Sequence, residues 1–100
     1  MTISDISIHI VQDGPEGLLA RGHVTFENSL RCNYLELWRS SNGSIYVEWP
    51  RLRYPGGNLA RPFVHPCTKE LAAVVASEMF KEYQRQMGQS PLSKGGSGNG

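Results

Sequence analysis

The sequence predicts an α+β domain: an antiparallel β-meander of four to five strands with one C-terminal amphipathic helix packed on it. Three observations carry that prediction. Apolar and polar residues alternate through the first half of the chain, the period of strands with one wet face. Turn-forming clusters interrupt those runs at hairpin intervals. From Ala72 the apolar spacing changes to that of a helix, so strands come first and the helix last.

Ile6, Ile8 and Ile10 alternate with Ser7 and His9, which predicts the first strand. Asp13-Gly-Pro-Glu-Gly17 breaks it with turn formers. Gly22, Val24 and Phe26 then alternate with Arg21, His23, Thr25 and Glu27 as a second strand. Asn28-Ser29 is a short connection, and Leu30 to Trp38 returns as a third. Strict alternation puts Leu35 and Leu37 on one face of it and Cys32, Tyr34 and Trp38 on the other. Asn42-Gly43 predicts a hairpin turn in which both residues take positive φ. Ser44 to Trp49 is the fourth strand, stopped by Pro50, which has no N–H for a ladder. Tyr54-Pro-Gly-Gly57 is a turn, and Leu59 to Val64, interrupted by Pro62, is a weak edge strand. Thr68 is an N-cap with Glu70 in the first helical turn. Residues 72, 75, 76, 79, 80 and 83 then form one apolar stripe, and Gly88 is a stop.

The domain is expected over residues 1–87, with 88–100 a flexible Gly/Ser-rich tail unable to bury a core. A domain of that size often draws extra stability from association. Ten Lys and Arg against nine Asp and Glu leave a net charge of +1, which argues against a protein that coats polyanions along its whole surface. No apolar run is long enough for a membrane span, and no basic-then-apolar leader is visible, so a soluble cytoplasmic protein is expected, with no membrane partner. Cys32 and Cys67 lack the spacing of a metal or disulfide framework and are expected to be reduced, small core residues. His9, His23 and His65 are equally unpaired in sequence; only His65-x-Cys67 is close, and His65 is expected to bond backbone beside Pro66. No nucleophile elbow, P-loop or clustered carboxylate pair is present, so neither an enzyme nor a metal, cofactor or small-molecule substrate is expected.

The positive charge is unevenly placed. Between Glu48 and Glu70 no acidic residue occurs, while Arg51, Arg53, Arg61 and Lys69 all do. Such a block makes a local field that a balanced total conceals. Arg51 and Arg53 are two apart, so an extended backbone directs both to one side, with Leu52 away. Guanidinium forks suit phosphate oxygens, Gly56-Gly57 allows a close backbone approach, and Tyr54 or Trp49 offers a ring for an unpaired base. The bland alternative is a solvated hairpin whose arginines pair with Glu48 or a second copy. On the helix, Lys69, Lys81 and Arg85 are interleaved with Glu70, Glu78 and Glu82, an ordinary solvated face unsuited to reading a major groove.

The order and spacing of these motifs resemble the SpoVG family of bacterial septation and sporulation regulators. Ile3-Ser-Asp-Ile-Ser-Ile8 is similar to the family's V-T-D-V-R-L, and Val24-Thr-Phe26 to its I-T-L. Asn33-Tyr-Leu-Glu-Leu37 stands at its H-D-I-R-V, and Asn42-Gly43 with Ile45-Tyr-Val-Glu-Trp-Pro50 at its N-x-G-L-F-V-A-M-P. Pro50-Arg-Leu-Arg-Tyr-Pro-Gly-Gly57 parallels P-S-K-R-T-P-D-G, His65-Pro66 its H-P, and Glu82-Tyr83 its helical E-Y. The resemblance implies a small dimeric regulator that binds DNA or RNA. It departs where relatives carry a Thr-Arg or similar basic pair in the first helical turn and this chain has Leu71-Ala72, which moves any contact onto the arginine segment. The nucleic-acid-binding set expected is therefore Arg51, Arg53, Arg61, Lys69 and Tyr54, in a homodimer joined through the sheet edge near Leu59 to Val64. The alternative is a dimeric protein-interaction adaptor of cell division without nucleic-acid binding.

Overall fold

The computed structural model describes residues 1–53, 56 and 59–88. Strands β1 (Ile3–Ile10), β2 (Leu18–Phe26), β3 (Leu30–Arg39) and β4 (Ile45–Glu48) form one antiparallel sheet in the order β1-β2-β3-β4. Strands β5 (Arg51–Arg53) and β6 (Leu59–Pro62) form a separate two-stranded ribbon, and α1 (Lys69–Gly88) follows. The α+β expectation holds, with one change of layout. The weak strand over residues 59–64 does not extend the meander. It pairs with residues 51–53, because Pro50 ends the β4 ladder and its carbonyl instead accepts from Phe63 N at 3.0 Å.

One face of the sheet is dry. Ile8, Ala20, Val24, Phe26, Cys32, Leu35 and Leu37 line it and meet Val75 and Met79 of α1 in a single core. The helix begins where Thr68 Oγ1 accepts from Leu71 N at 3.1 Å, as its N-cap residue should. Its expected stripe faces the sheet: Val75 and Met79 are fully buried and Phe80 and Tyr83 pack around them, joined by Leu71, which the stripe read from the sequence did not include. Arg39 lies over the Phe80 ring, 5.9 Å from its centroid, and Phe80 stacks on Tyr83. Gln86 Nε2 donates to the Ile8 carbonyl at 3.4 Å, tying the last turns of the helix to β1.

Three details differ from the sequence expectation. Alternation along β3 breaks at Asn33–Tyr34, where Gly22 pairs with Leu35 but Val24 with Cys32, leaving two residues of β3 opposite His23. This bulge turns Cys32 into the core beside Leu35 and Leu37 and sends Tyr34 outward. The type I′ dihedrals appear not at Asn42-Gly43 but at Glu27 (φ 54°) and Asn28 (φ 53°), closed by Ser29 N to Phe26 O at 2.8 Å. At the other hairpin only Gly43 has positive φ, 90°, while Asn42 Oδ1 accepts from Ser44 N at 3.0 Å, as in a three-residue loop ending in a left-handed glycine. Finally, Cys67 is exposed rather than a core residue, whereas burial raises the pKa of the Cys32 thiol; both are free.

The charges of α1 pair within the helix, Lys81 with Glu78 at 3.1 Å and Arg85 with Glu82, which relieves the Glu78/Glu82 repulsion. Hydrogen bonds from Arg85 and Gln86 pull the Glu82 pKa down to about 2. A depressed carboxylate stabilises fully above its ordinary value of 4.5 and loses that contribution as pH falls through about 2. The denaturation midpoint of the wild type should therefore drop more steeply across that acid window than that of Glu82→Gln. Parallel profiles would show that the contact contributes nothing. Because the pair is on the surface, the difference should be small and should shrink with salt.

Candidate nucleic-acid interface

The sheet face opposite α1 carries a row of charges set by strand register. His9 pairs with Arg21, Arg21 with Glu36, and Glu36 with Glu48, each directly across the ladder. Two like charges directly opposite one another are unfavourable. Here arginines flank them on both sides: Arg21 Nε reaches Glu36 Oε2 at 3.2 Å, and Arg51 Nη2 reaches Glu48 Oε1 at 3.0 Å. The second Glu36 oxygen accepts from Trp38 Nε1 at 3.0 Å, which fixes the indole on the same face. The carboxylates are thus neutralised by neighbours, and the row as a whole is not acidic.

Rings surround this row. Trp38 lies directly across from Tyr46, and Tyr34 precedes Glu36 on the same face of β3. Tyr34 sits on the bulge with φ 63°, a conformation that costs a non-glycine residue about 1–3 kcal/mol, and the residue is 81% exposed. Two open hollows meet at it. One, of about 590 Å³, runs from Tyr34 past Trp38 and Tyr46 to Leu52 of the ribbon and to Phe63, which follows it. The other, of about 600 Å³, lies on the opposite side of Tyr34 against His9, Arg21, His23 and Asn33.

The residues singled out from sequence fall in different places. Arg51 begins β5, half-buried and ion-paired with Glu48, which is the bland pairing anticipated for it. Arg53 ends β5, paired with Leu59. Arg61 lies in β6 at a register shift; it is exposed and makes no ion pair among the described residues. Lys69 is exposed at the first position of α1, also without an ion pair among the described residues. Tyr54 lies outside the described residues, as does Gly57, whereas Gly56 is exposed with φ 93°. Trp49, the other ring expected to stack, is half-buried and packs against the core. His65 Nδ1 is 3.0 Å from the Pro66 carbonyl, the backbone contact expected. Among the described residues no group of three potential ligands could hold a metal, and no helix is long and apolar enough to cross a membrane.

Reasoning from sequence missed Arg21, Glu36, Tyr34, Trp38 and Tyr46 as one surface. Only strand register brings them together, although the three-residue step from Cys32 to Leu35 in an otherwise two-residue pattern was the available sign of the bulge.

No family model matches the chain. It is 31% identical over 88 residues to "Putative septation protein SpoVG" of Borreliella afzelii (strain PKo), spanning 86% of this chain and 89% of that one. The protein of the same name in Borrelia garinii subsp. bavariensis gives the same figures. That of Borrelia hermsii (strain HS1 / DAH) is 30% identical over 88 residues, 86% of this chain and 90% of its own length.

Proposed function

The chain belongs to the SpoVG family, and from that premise we propose that it is a small cytoplasmic regulator of septation or sporulation that binds DNA or RNA as a homodimer. The observation that carries this reading is the acid-free segment from Trp49 to Lys69, with Arg61 and Lys69 exposed and unpaired among the described residues. Arg53, Arg61 and Lys69 contact phosphate and position the protein; Arg51 contributes chiefly by neutralising Glu48. The relatives' names support the septation role.

Dimerisation supplies the affinity that one modest charge cluster lacks, because two copies present it twice. The ribbon is the natural seam. A two-stranded ribbon alone is marginally stable in water, and Phe63 and Val64 at its end are 61% and 44% exposed. Pairing along the free edge of β6 would cover them, with Pro62 limiting the ladder. Those same exposed apolar groups favour a second reading, a dimeric adaptor of division proteins without nucleic-acid binding.

Fluorescence anisotropy of the wild type and an Arg53→Ala/Arg61→Ala/Lys69→Ala variant tests the site while leaving the Arg51–Glu48 pair intact. Three phosphate contacts per protomer, six per dimer, predict a wild-type affinity loss of roughly 300- to 2,000-fold between about 50 and 200 mM salt, nearly abolished in the variant. Equal salt slopes would overturn the site assignment. Absence of any binding at low salt would leave the adaptor reading.

A further inference from the structure

We propose that the sheet face opposite the helix is a platform for unpaired bases, with Tyr34 as its central ring, so that the ligand is single-stranded rather than duplex nucleic acid. This rests on the nucleic-acid reading above but assigns a different surface, one made by the meander rather than by the ribbon arginines.

The geometry of Tyr34 points to it. The β3 bulge holds the residue at positive φ and lifts a large ring clear of the sheet, where it contributes nothing to the core. Strained backbone at an exposed aromatic residue signals a role outside folding. The hollows on its two sides, about 590 and 600 Å³, lie within the range of small-ligand pockets and leave both flanks of the ring approachable. Trp38 and Tyr46 extend the apolar surface on one side, the indole held by its bond to Glu36. On the other side His9, His23 and Asn33 supply donors and acceptors suited to base edges.

Charge favours nucleic acid over an acidic or neutral peptide. Glu36 and Glu48 are each ion-paired; the face carries Arg21 and Arg31 against Asp5, Glu36 and Glu48, and the adjoining ribbon adds Arg51, Arg53 and Arg61, five positive charges against three negative, a net of +2. Aromatic rings beside a weakly positive track are the chemistry of sequence-tolerant single-strand binding, where a base stacks by its π-face and the phosphates follow the arginines. A duplex hides its π-faces and needs an element that enters a groove. α1 is occupied on one side by the core and carries internally paired charges on the other.

Anisotropy with fluorescent 12-mers of oligo(U) and oligo(dT), and with a 12-base-pair duplex, tests the assignment. Either single strand should bind at least about tenfold tighter than the duplex, with quenching of tryptophan emission by the stacked bases. Tyr34→Asn retains a residue that tolerates left-handed backbone and should keep the fold, checked by thermal melting. It should weaken single-strand binding roughly 5- to 150-fold and leave duplex binding unchanged. Tyr46→Ser, at a half-exposed ring, should act in the same direction. The Arg53→Ala/Arg61→Ala/Lys69→Ala variant should weaken both ligands alike. Duplex binding ahead of both single strands, or Tyr34→Asn and Tyr46→Ser at wild-type affinity, would overturn the platform while leaving the phosphate site standing. No binding to any of the three would overturn both.

Discussion

Gly22→Ala is expected to remove more than about 3 kcal/mol of stability, a large share of the roughly 5–15 kcal/mol that holds a typical domain folded. Gly22 lies in the middle of β2, opposite Ile8 of β1 and Leu35 of β3. A Cβ there would lie 2.0 Å from the Ser7 carbonyl oxygen and 2.8 Å from Ile8 Cα. Both are backbone atoms, so no rotamer change can make room. Overpacked cores cost about 1–3 kcal/mol when side chains can yield, and a clash with a neighbouring strand exceeds that. The remaining route is to separate β1 from β2, which exposes Ile6 and Ile8 and breaks the ladder that begins the meander. Urea denaturation followed by far-ultraviolet circular dichroism would detect the change, and a midpoint within error of wild type would show that β1 does not approach β2 as described.

The same glycine illustrates how far the sequence could be read. Alternation through Ile6, Ile8 and Ile10, and through Val24 and Phe26, was enough to identify β1 and β2 and their buried faces, because each face repeats within a single strand. The stripe on α1 was legible for the same local reason, as was its Thr68 cap. The bulge at Asn33–Tyr34 was not, since it depends on how β3 meets β2 across residues that are distant in the chain. Without the bulge, Tyr34 reads as one more member of a face shared with Cys32, and the outer platform vanishes from view. The charge row is likewise a property of register: Arg21, Glu36 and Glu48 are more than ten residues apart, and nothing local marks them as neighbours. The acid-free segment was visible as composition, but not that its first arginine serves Glu48.

Met79→Ala is expected to cost about 2–5 kcal/mol, the range for truncating a fully buried methionine, and to lower the melting temperature by about 10 °C or more. Met79 and Val75 are the buried residues of α1, so the helix holds the sheet through two adjacent turns and a ring of half-buried side chains. Removing the thioether leaves a cavity between α1 and the sheet that the rigid strands can only partly close. The nearby Val74 is the internal control: it is 46% exposed, and Val74→Ala should change stability by no more than about 0.5 kcal/mol. Denaturant curves with equal slopes but separated midpoints would show that the difference is one of packing and not of unfolded-state compactness. If the two substitutions shifted the midpoint equally, the helix would be docked by another face. The outer surface depends on this result too, because the rings of Tyr34, Trp38 and Tyr46 keep their spacing only while the helix holds the opposite face of the sheet in shape. Heating the Met79→Ala protein past its lowered midpoint should therefore abolish nucleic-acid binding at a temperature where the wild type still binds.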